Sequence, residues 1–473
     1  MRGLFKYLTA KFNKMGKSNI ENLYREEKYT SLGLYNPSFF KITLKTGEEL
    51  PKEDFENPLV SEITGAAFLH EYVHFLQDIT SSSGLSNLCY IVDYIKWINS
   101  LYRKEDILYP PYNPNDSKIP YLKENALIRD AYTGSRKQIN PFSAIESIKL
   151  VNKKIIEECE DNLLEIECTQ QNEANQSYNI GEYAISECMA YNIDSHVFPD
   201  TLPAPPVFPY KIVNLIANHY CDGLGDEKLK IIAICDACLM FDNPGHILYL
   251  SLTSDKKDEY KKMSPEDIFD YTNNLGAKLY GRKSIDILEE KHNGALQQWN
   301  DLFSSDNNFD KIKNYISNTL EKAYTYRKDN PHFIIEAVRE SEKKQLSQFI
   351  KIIERLGAPL ILNEKKDKIV QITPNDDEVE TYYLWVLEQI YKLFTGASKL
   401  DNGVYKCEMY EFCKSSFTDQ KMEEALSIVT ADFSCIYCPW ERSKTKEERQ
   451  ICPWGAYWYS CSMKDVSEKN SIK

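Results

Sequence analysis

Two of the chain's seven histidines stand four positions apart in FLHEYVHFLQD, residues 68 to 78, and a glutamate directly follows the first. On a helix, residues four apart lie one turn above each other on one face. His70 and His74 can then bring imidazole nitrogens to one ion at about 2.0 to 2.1 Å. Glu71 is rotated by about 100° from His70 and falls off that line. It is placed to act on a water the ion holds, taking the proton and passing it to a leaving amine. Histidine is so scarce here that composition alone would produce the pattern in roughly one such chain in a hundred. Ala66 and Ala67, one turn earlier, keep the ligand face open, while Leu69, Val73, Leu76 and Ile79 supply an apolar stripe that buries the helix.

Two histidines do not hold a catalytic zinc; a third protein ligand is required, with a fourth position left to water. AISECMAYNID, residues 184 to 194, places Ala190 three positions after Glu187. A small residue one turn away lets a second helix approach the first at or below the usual 8 to 10 Å between axes. Glu187 is the choice for the third ligand. Glu182 and Cys188 compete with it, and His196 would suit a three-histidine site. Asp78, one turn from His74, and Asp194, two turns from Glu187, are candidates for the carboxylate that orients a ligand histidine. Tyr191, His196 and His219 are candidate donors to an oxyanion.

A strand, an H-E-x-x-H helix and a later helix with an acidic residue resemble the zincin metallopeptidases, in particular the glutamate-ligand branch, the gluzincins. In many of these the third ligand lies in an apolar-Glu-x-x-Ala stretch, which Glu187 and Ala190 match. The resemblance implies peptide-bond hydrolysis by a zinc-activated water, with His70, His74 and Glu187 holding the ion and Glu71 as base and then acid. It covers about fifteen residues around each motif. The chain departs from the thermolysin-like pattern in the 113 positions between His74 and Glu187, and in Tyr191 standing where an acidic residue often follows the ligand glutamate.

The elements that must position these residues are partly legible. FFKITLKTGEEL alternates Phe40, Ile42 and Leu44 with polar residues and reads as a half-buried strand. Asn57-Pro58 reads as a helix start, and the apolar pattern runs to about Thr80 before SSSG closes it. A helix follows around Leu88 to Tyr102, then a Pro/Asn-rich loop at YPPYNPNDSKIP. A stretch without clear assignment leads to a hairpin through Leu164, Ile166 and Cys168 to SYNIG, and a helix from Glu182 to about Asp194. An extended peptide would pair with the strand around Ile42 or with SYNIG. PDTLPAPPVFP, with five prolines in eleven positions, reads as a boundary. Helices dominate from Tyr210 to Phe394, one starting cleanly at Ser264-Pro265-Glu266-Asp267. PLILNEKKDKIVQITP interrupts them as a hairpin turning at Lys365 to Asp367.

The last seventy residues hold six of the thirteen cysteines and three of the six tryptophans. Cys407, Cys413, Cys435, Cys438, Cys452 and Cys461 are candidate ligands of a second, structural zinc, because the two-residue spacing of Cys435 and Cys438 lets both thiolates reach one tetrahedral ion. Cys235 and Cys238, in an apolar run with no second pair nearby, read as core. A net charge of −14 argues against a nucleic-acid surface. No stretch approaches the ~20 apolar residues of a membrane span, and no export signal is recognisable, which points to the cytoplasm. Residues 1 to 17 carry a basic amphipathic pattern that would suit peripheral membrane contact, though a short docked helix is the simpler reading.

The expected architecture is α+β and predominantly helical: a zincin-like catalytic core with a small β-sheet over residues 1–200, a mainly helical region over 201–400 and a Cys/Trp-rich module over 401–473. The expected activity is that of a zinc metallopeptidase acting on a protein or peptide, selective rather than digestive. The rivals are a binding or regulatory protein keeping the zinc fold as scaffold, and a zinc hydrolase of a non-peptide amide.

Overall fold

The computed structural model describes residues 32–47, 61–102, 119–136, 142–170, 173–302, 309–363, 369–370, 382–395, 400–401, 404–410, 413 and 452–460. The protein is mainly helical with small sheets. Residues 1 to 17, Asn57-Pro58, most of the 109–120 loop and the turn at Lys365 to Asp367 lie outside the described residues.

The first sheet has the order β1-β2-β6-β7, formed by β1 (Gly33–Asn36), β2 (Lys41–Leu44), β6 (Leu360–Leu362) and β7 (Ile369–Val370). β1 and β2 are antiparallel, β2 and β6 parallel, and β6 and β7 form the expected hairpin. β2 departs from the expected half-buried strand, since all four of its residues are buried. Lys41, which alternation would send to water, instead pairs with Glu388 and lies 5.6 Å from the centre of the Trp385 ring. A buried lysine is tolerable only because it is paired in this way.

The second sheet is antiparallel, β3 (Phe142–Ile156), β4 (Cys159–Gln170) and β5 (Glu173–Ile180), with β4 and β5 as the expected hairpin. β3 was not assignable from sequence. Register shifts after Phe142 and Ile145 interrupt its period-two alternation, the signal that identifies a strand.

The histidine motif lies on α1 (Glu62–Thr80), capped by Ser61, whose hydroxyl accepts from the Thr64 N–H at 3.3 Å. The helix ends at Thr80 with Ser81 as its C-cap, as the SSSG stretch implies, and Ser82, Ser83 and Gly84 open the next helix, α2 (Ser82–Tyr102). A Cβ on Gly84 would stand 2.5 Å from Asp78 Cα, so only glycine permits this close start. α1 is buried round most of its circumference, not along one stripe, with Phe68, Tyr72 and Phe75 as deeply enclosed as Leu69 and Val73.

After α3 (Pro120–Thr133) and the second sheet, Gly181 leads directly into α4 (Glu182–Val197). The helices α5 (Ile212–Tyr220), α6 (Lys228–Leu239), α7 (Pro244–Thr253), α8 (Pro265–Tyr280), α9 (Ser284–Leu302), α10 (Asp310–Asp329), α11 (Phe333–Glu340) and α12 (Ser347–Leu356) make up the helical body. Ser264 and Asp267 form a capping box at the start of α8, as read from sequence. α13 (Tyr382–Thr395) and α14 (Pro453–Ser460) follow.

α1 packs on β1 and β2 and on α2, α4 and α10. Packing crosses both expected divisions: β6 completes a sheet begun at residue 33, α4 lies on α6, and α13 contacts α14. Among the described residues, no helix is long and apolar enough to cross a membrane.

Candidate metal centre

α1 and α4 bring three side chains to one point. His70 Nε2 and His74 Nε2 are 3.3 Å apart, and Glu187 Oε2 stands 3.3 Å from the first and 3.4 Å from the second. Ligands at 2.0 to 2.1 Å around a tetrahedral ion are separated by about 3.3 Å, so the triangle has the size of a zinc site. All three side chains are only partly buried, 13 to 17 % exposed. Among the described residues this is the one group of histidine, cysteine and acidic side chains that converges so.

The other nitrogens decide the tautomers. His70 Nδ1 lies 2.6 Å from Asp194 Oδ2, and a carboxylate only accepts, so Nδ1 carries the proton. His74 Nδ1 lies 2.8 Å from Gln77 Oε1, and Gln77 Nε2 donates to the Ser186 carbonyl at 3.0 Å. That second bond fixes the amide, so His74 Nδ1 must donate as well. Both Nε2 atoms are therefore lone-pair acceptors, facing a carboxylate oxygen that is a third acceptor. Three acceptors so close repel one another unless a cation or a proton lies between them.

The titration behaviour has the same origin. Burial alone would lower the two imidazoles. Asp194 and Glu187 outweigh it and hold His70 well above its ordinary value, while Glu187 raises His74. For Glu187, burial would raise the carboxyl, but the two imidazoles hold it well below the usual carboxylate range. In the absence of an ion, a proton takes the cation's place.

Glu71 is buried beside this triangle without joining it. Its Oε2 accepts from the Tyr35 N–H of β1 at 2.6 Å. Burial pushes its carboxyl up, and the neighbouring imidazoles oppose the shift. β1 comes so close that a Cβ on Gly33 would lie 2.6 Å from Glu71 Cγ, so a glycine is required there.

A cleft opens in front of Glu71 and His70, lined further by Leu32 and Gly33, Ala67, Tyr191 and Asp194, and by Leu202, Pro203, Pro205 and Tyr210. The strand beside it is β1, an edge of its sheet among the described residues; β2, the strand read from sequence around Ile42, lies inside the sheet between β1 and β6. The Lys45 N–H donates to the Leu32 carbonyl, so alternation turns the Gly33 and Tyr35 peptides outward.

The candidates divide clearly. Asp194 takes the orienting position on His70. Asp78 does not reach His74: its Oδ2 accepts from the Tyr35 hydroxyl at 2.7 Å and the Ser38 N–H at 2.5 Å. Its place is held by Gln77, which no spacing rule marks. Glu182 is engaged by Asn87 at 2.5 Å and Arg129 at 3.3 Å, and Cys188 faces Asn214. Tyr191 lines the cleft, its phenol pushed up to about 12 by burial, with the Lys211 ammonium 5.2 Å from its ring centre. His196 and His219 do not line it. Tyr210, which sequence reasoning missed, does, with its ring 6.0 Å from that of His70.

Cys407 and Cys452 are buried and Cys413 is half-buried. Cys435, Cys438 and Cys461 lie outside the described residues. Cys235 and Cys238 are fully buried in α6, as expected of core residues. No family model, curated protein or solved structure matches the chain.

Proposed function

We propose that this chain is a zinc-dependent peptidase of zincin type, cleaving a polypeptide that lies along β1. The observation that carries the reading is the convergence of three acceptor atoms, two of them fixed as acceptors by Asp194 and Gln77. Such a donor set, two imidazoles and a carboxylate on rigid helices, suits zinc. When bound, the ion supplies Lewis acidity and lowers the pKa of a coordinated water.

The chain's own groups account for the rest. Glu71 is anchored at Oε2 by the Tyr35 N–H, which leaves Oε1 to take a proton from the attacking water and deliver it to the departing amine. Tyr191 and Tyr210 offer phenol donors along the same cleft for the charge that develops on the carbonyl oxygen. The outward Gly33 peptide offers a donor and an acceptor to an extended backbone, which favours a polypeptide over a small amide. A scaffold would need Glu71 only as the acceptor for the Tyr35 N–H, a role that Glu71→Gln preserves.

Metal content per chain, measured by mass spectrometry on the wild type and on His70→Ala and Glu187→Ala, tests the reading. Zinc near one equivalent, lost in both variants, is expected. Zinc retained in both would place the metal elsewhere and remove the argument's basis. Glu71→Gln should keep its zinc and lose cleavage; cleavage surviving that change would rule out the proposed base.

A further inference from the structure

The segment of five prolines looked like a boundary between domains, yet it forms one wall of the cleft. We propose that this segment, through Leu202 acting with Leu32 and Ala67, is the selectivity wall, and that it takes an aliphatic side chain of an extended polypeptide next to the metal-ligand cluster. The proposal rests on the peptidase reading for its substrate backbone, but its own evidence is separate.

The lining is divided by chemistry. Among the described residues, its ionisable groups of low or neutral pKa are His70, Glu71 and Asp194, which belong to the centre described above. The remainder is mainly apolar: Leu32 at the start of β1, Ala67 on α1, and Leu202, Pro203 and Pro205 opposite. A charged side chain entering here would lose water, which is costly, and an acidic one would also face Glu71 and Asp194. An aliphatic one would cover Leu32 and Leu202, both only partly buried against the core.

The wall is also built to stay in place. Proline has no N–H and a fixed φ, so Pro203 and Pro205 offer no backbone donor and have little freedom to lose on binding. The segment is held at one end by Thr201, whose N–H donates to the Phe198 carbonyl at 3.3 Å and whose hydroxyl lies 3.5 Å from Glu62 Oε2 at the start of α1. At the other end Phe208 is fully buried, its ring 5.7 Å from that of Tyr178, and the Lys211 N–H donates to the Val207 carbonyl at 2.7 Å. One side of the cleft thus offers backbone hydrogen bonds from Gly33, and the other offers contact alone. Main-chain pairing along the first leaves selection to the second.

The test uses three hexapeptides identical except for leucine, lysine or aspartate at one position. Binding to the full-length protein is read by isothermal titration, with Glu71→Gln as host if the peptides are cut. The leucine peptide should bind about tenfold or more tighter than either charged one, the scale of a well-fitted apolar contact. Leu202→Glu should reverse the order of leucine and lysine, and Leu202→Val should keep it. If Leu202→Glu does not fold, Leu32→Glu, from the opposite wall, carries the same expectation. Equal binding of the three peptides, absence of binding, or an order unchanged in the glutamate variant would overturn the proposal. Zinc content of the same samples reports on the peptidase reading independently: a zinc-free protein that still prefers leucine would retain the slot and lose the hydrolase.

Discussion

Two histidines in this protein, His246 buried and His70 partly so, each stand beside an aspartate, and they differ in what faces the ring. At His246, on α7, the ring Nδ1 lies 3.7 Å from Asp161 Oδ1, and that carboxylate also accepts from the Tyr132 hydroxyl at 2.7 Å, Asn243 Nδ2 at 3.0 Å and the Asn162 N–H at 2.7 Å. Donors surround an acceptor, and the charges close on themselves. At His70 the aspartate only orients the ring, and the far nitrogen is turned toward two further acceptors. The first ties the start of α7 to β4 around the Asp161 carboxylate, with His246 Nδ1 itself left without a hydrogen-bond partner among the described residues; the second directs three acceptors at one point. An Asp–His pair is therefore not in itself a sign of a functional site. The sign is a surplus of lone pairs directed at a common point.

The largest effects should separate the two pairs outright. Glu71→Gln should lower kcat by about 10² to 10⁴, the usual contribution of a general acid–base residue, at unchanged zinc content. His70→Ala should abolish zinc binding, while His246→Ala should leave zinc content as it was. Zinc loss in the His246 variant would erase the distinction drawn here. Next in size are the orienting groups. Asp194→Asn should weaken zinc affinity by roughly 10- to 100-fold, measured by competition with a chelator. Gln77→Ala should weaken it less, because a neutral amide orients His74 without adding charge. Asp161→Asn should not change it.

Stability should respond in the opposite sense. Asp161→Ala leaves the Tyr132 hydroxyl without its acceptor and Asn243 Nδ2 with the Asn162 carbonyl alone, at a cost of about 1 to 3 kcal/mol, read as a lower urea midpoint. A variant as stable as the wild type would show that these bonds are replaced by water at no cost.

Much of the centre was legible because its signals are local. His70, Glu71 and His74 follow from helical spacing, and Glu187 from the small residue at Ala190, which is fully buried as close helix approach requires. The unread parts depend on contacts distant in sequence or on backbone atoms. Gln77 looks like any helix glutamine until Ser186 fixes its amide. The Tyr35 N–H that anchors Glu71 has no side-chain signature at all. β6 joins β2 from more than 300 positions away, and no local pattern announces a parallel partner at that distance. That the proline segment also lines the cleft could not be read from its composition, because proline usually punctuates and carries no sign of what it packs beside.

A final measurement contrasts two aspartates that burial and hydrogen bonds move in opposite directions. For Asp161, burial would raise the carboxyl, but the nearby His246 imidazole and the hydrogen bonds from Tyr132, Asn243 and the Asn162 N–H bring it down to about 2. Its stabilisation is fully present above the unfolded value near ~4 and is lost as pH falls toward about 2. Asp78 is raised to about 7, because burial outweighs the bonds from the Ser38 N–H and the Tyr35 hydroxyl. Its Oδ1 has no hydrogen-bond partner among the described residues, so hydrogen bonds to Oδ2 alone oppose the effect of burial. The folded state then binds the extra proton, so Asp78 stabilises below ~4, and that stabilisation is lost as pH rises through about 7. Asp78→Asn keeps an accepting oxygen and stays neutral, so its thermal midpoint should decline less than the wild type's between pH 4 and 7. Asp161→Asn should flatten only the acid side. A full wild-type slope in Asp78→Asn would show that this carboxyl is ionised in the fold, and its two hydrogen bonds would then have to hold a buried charge.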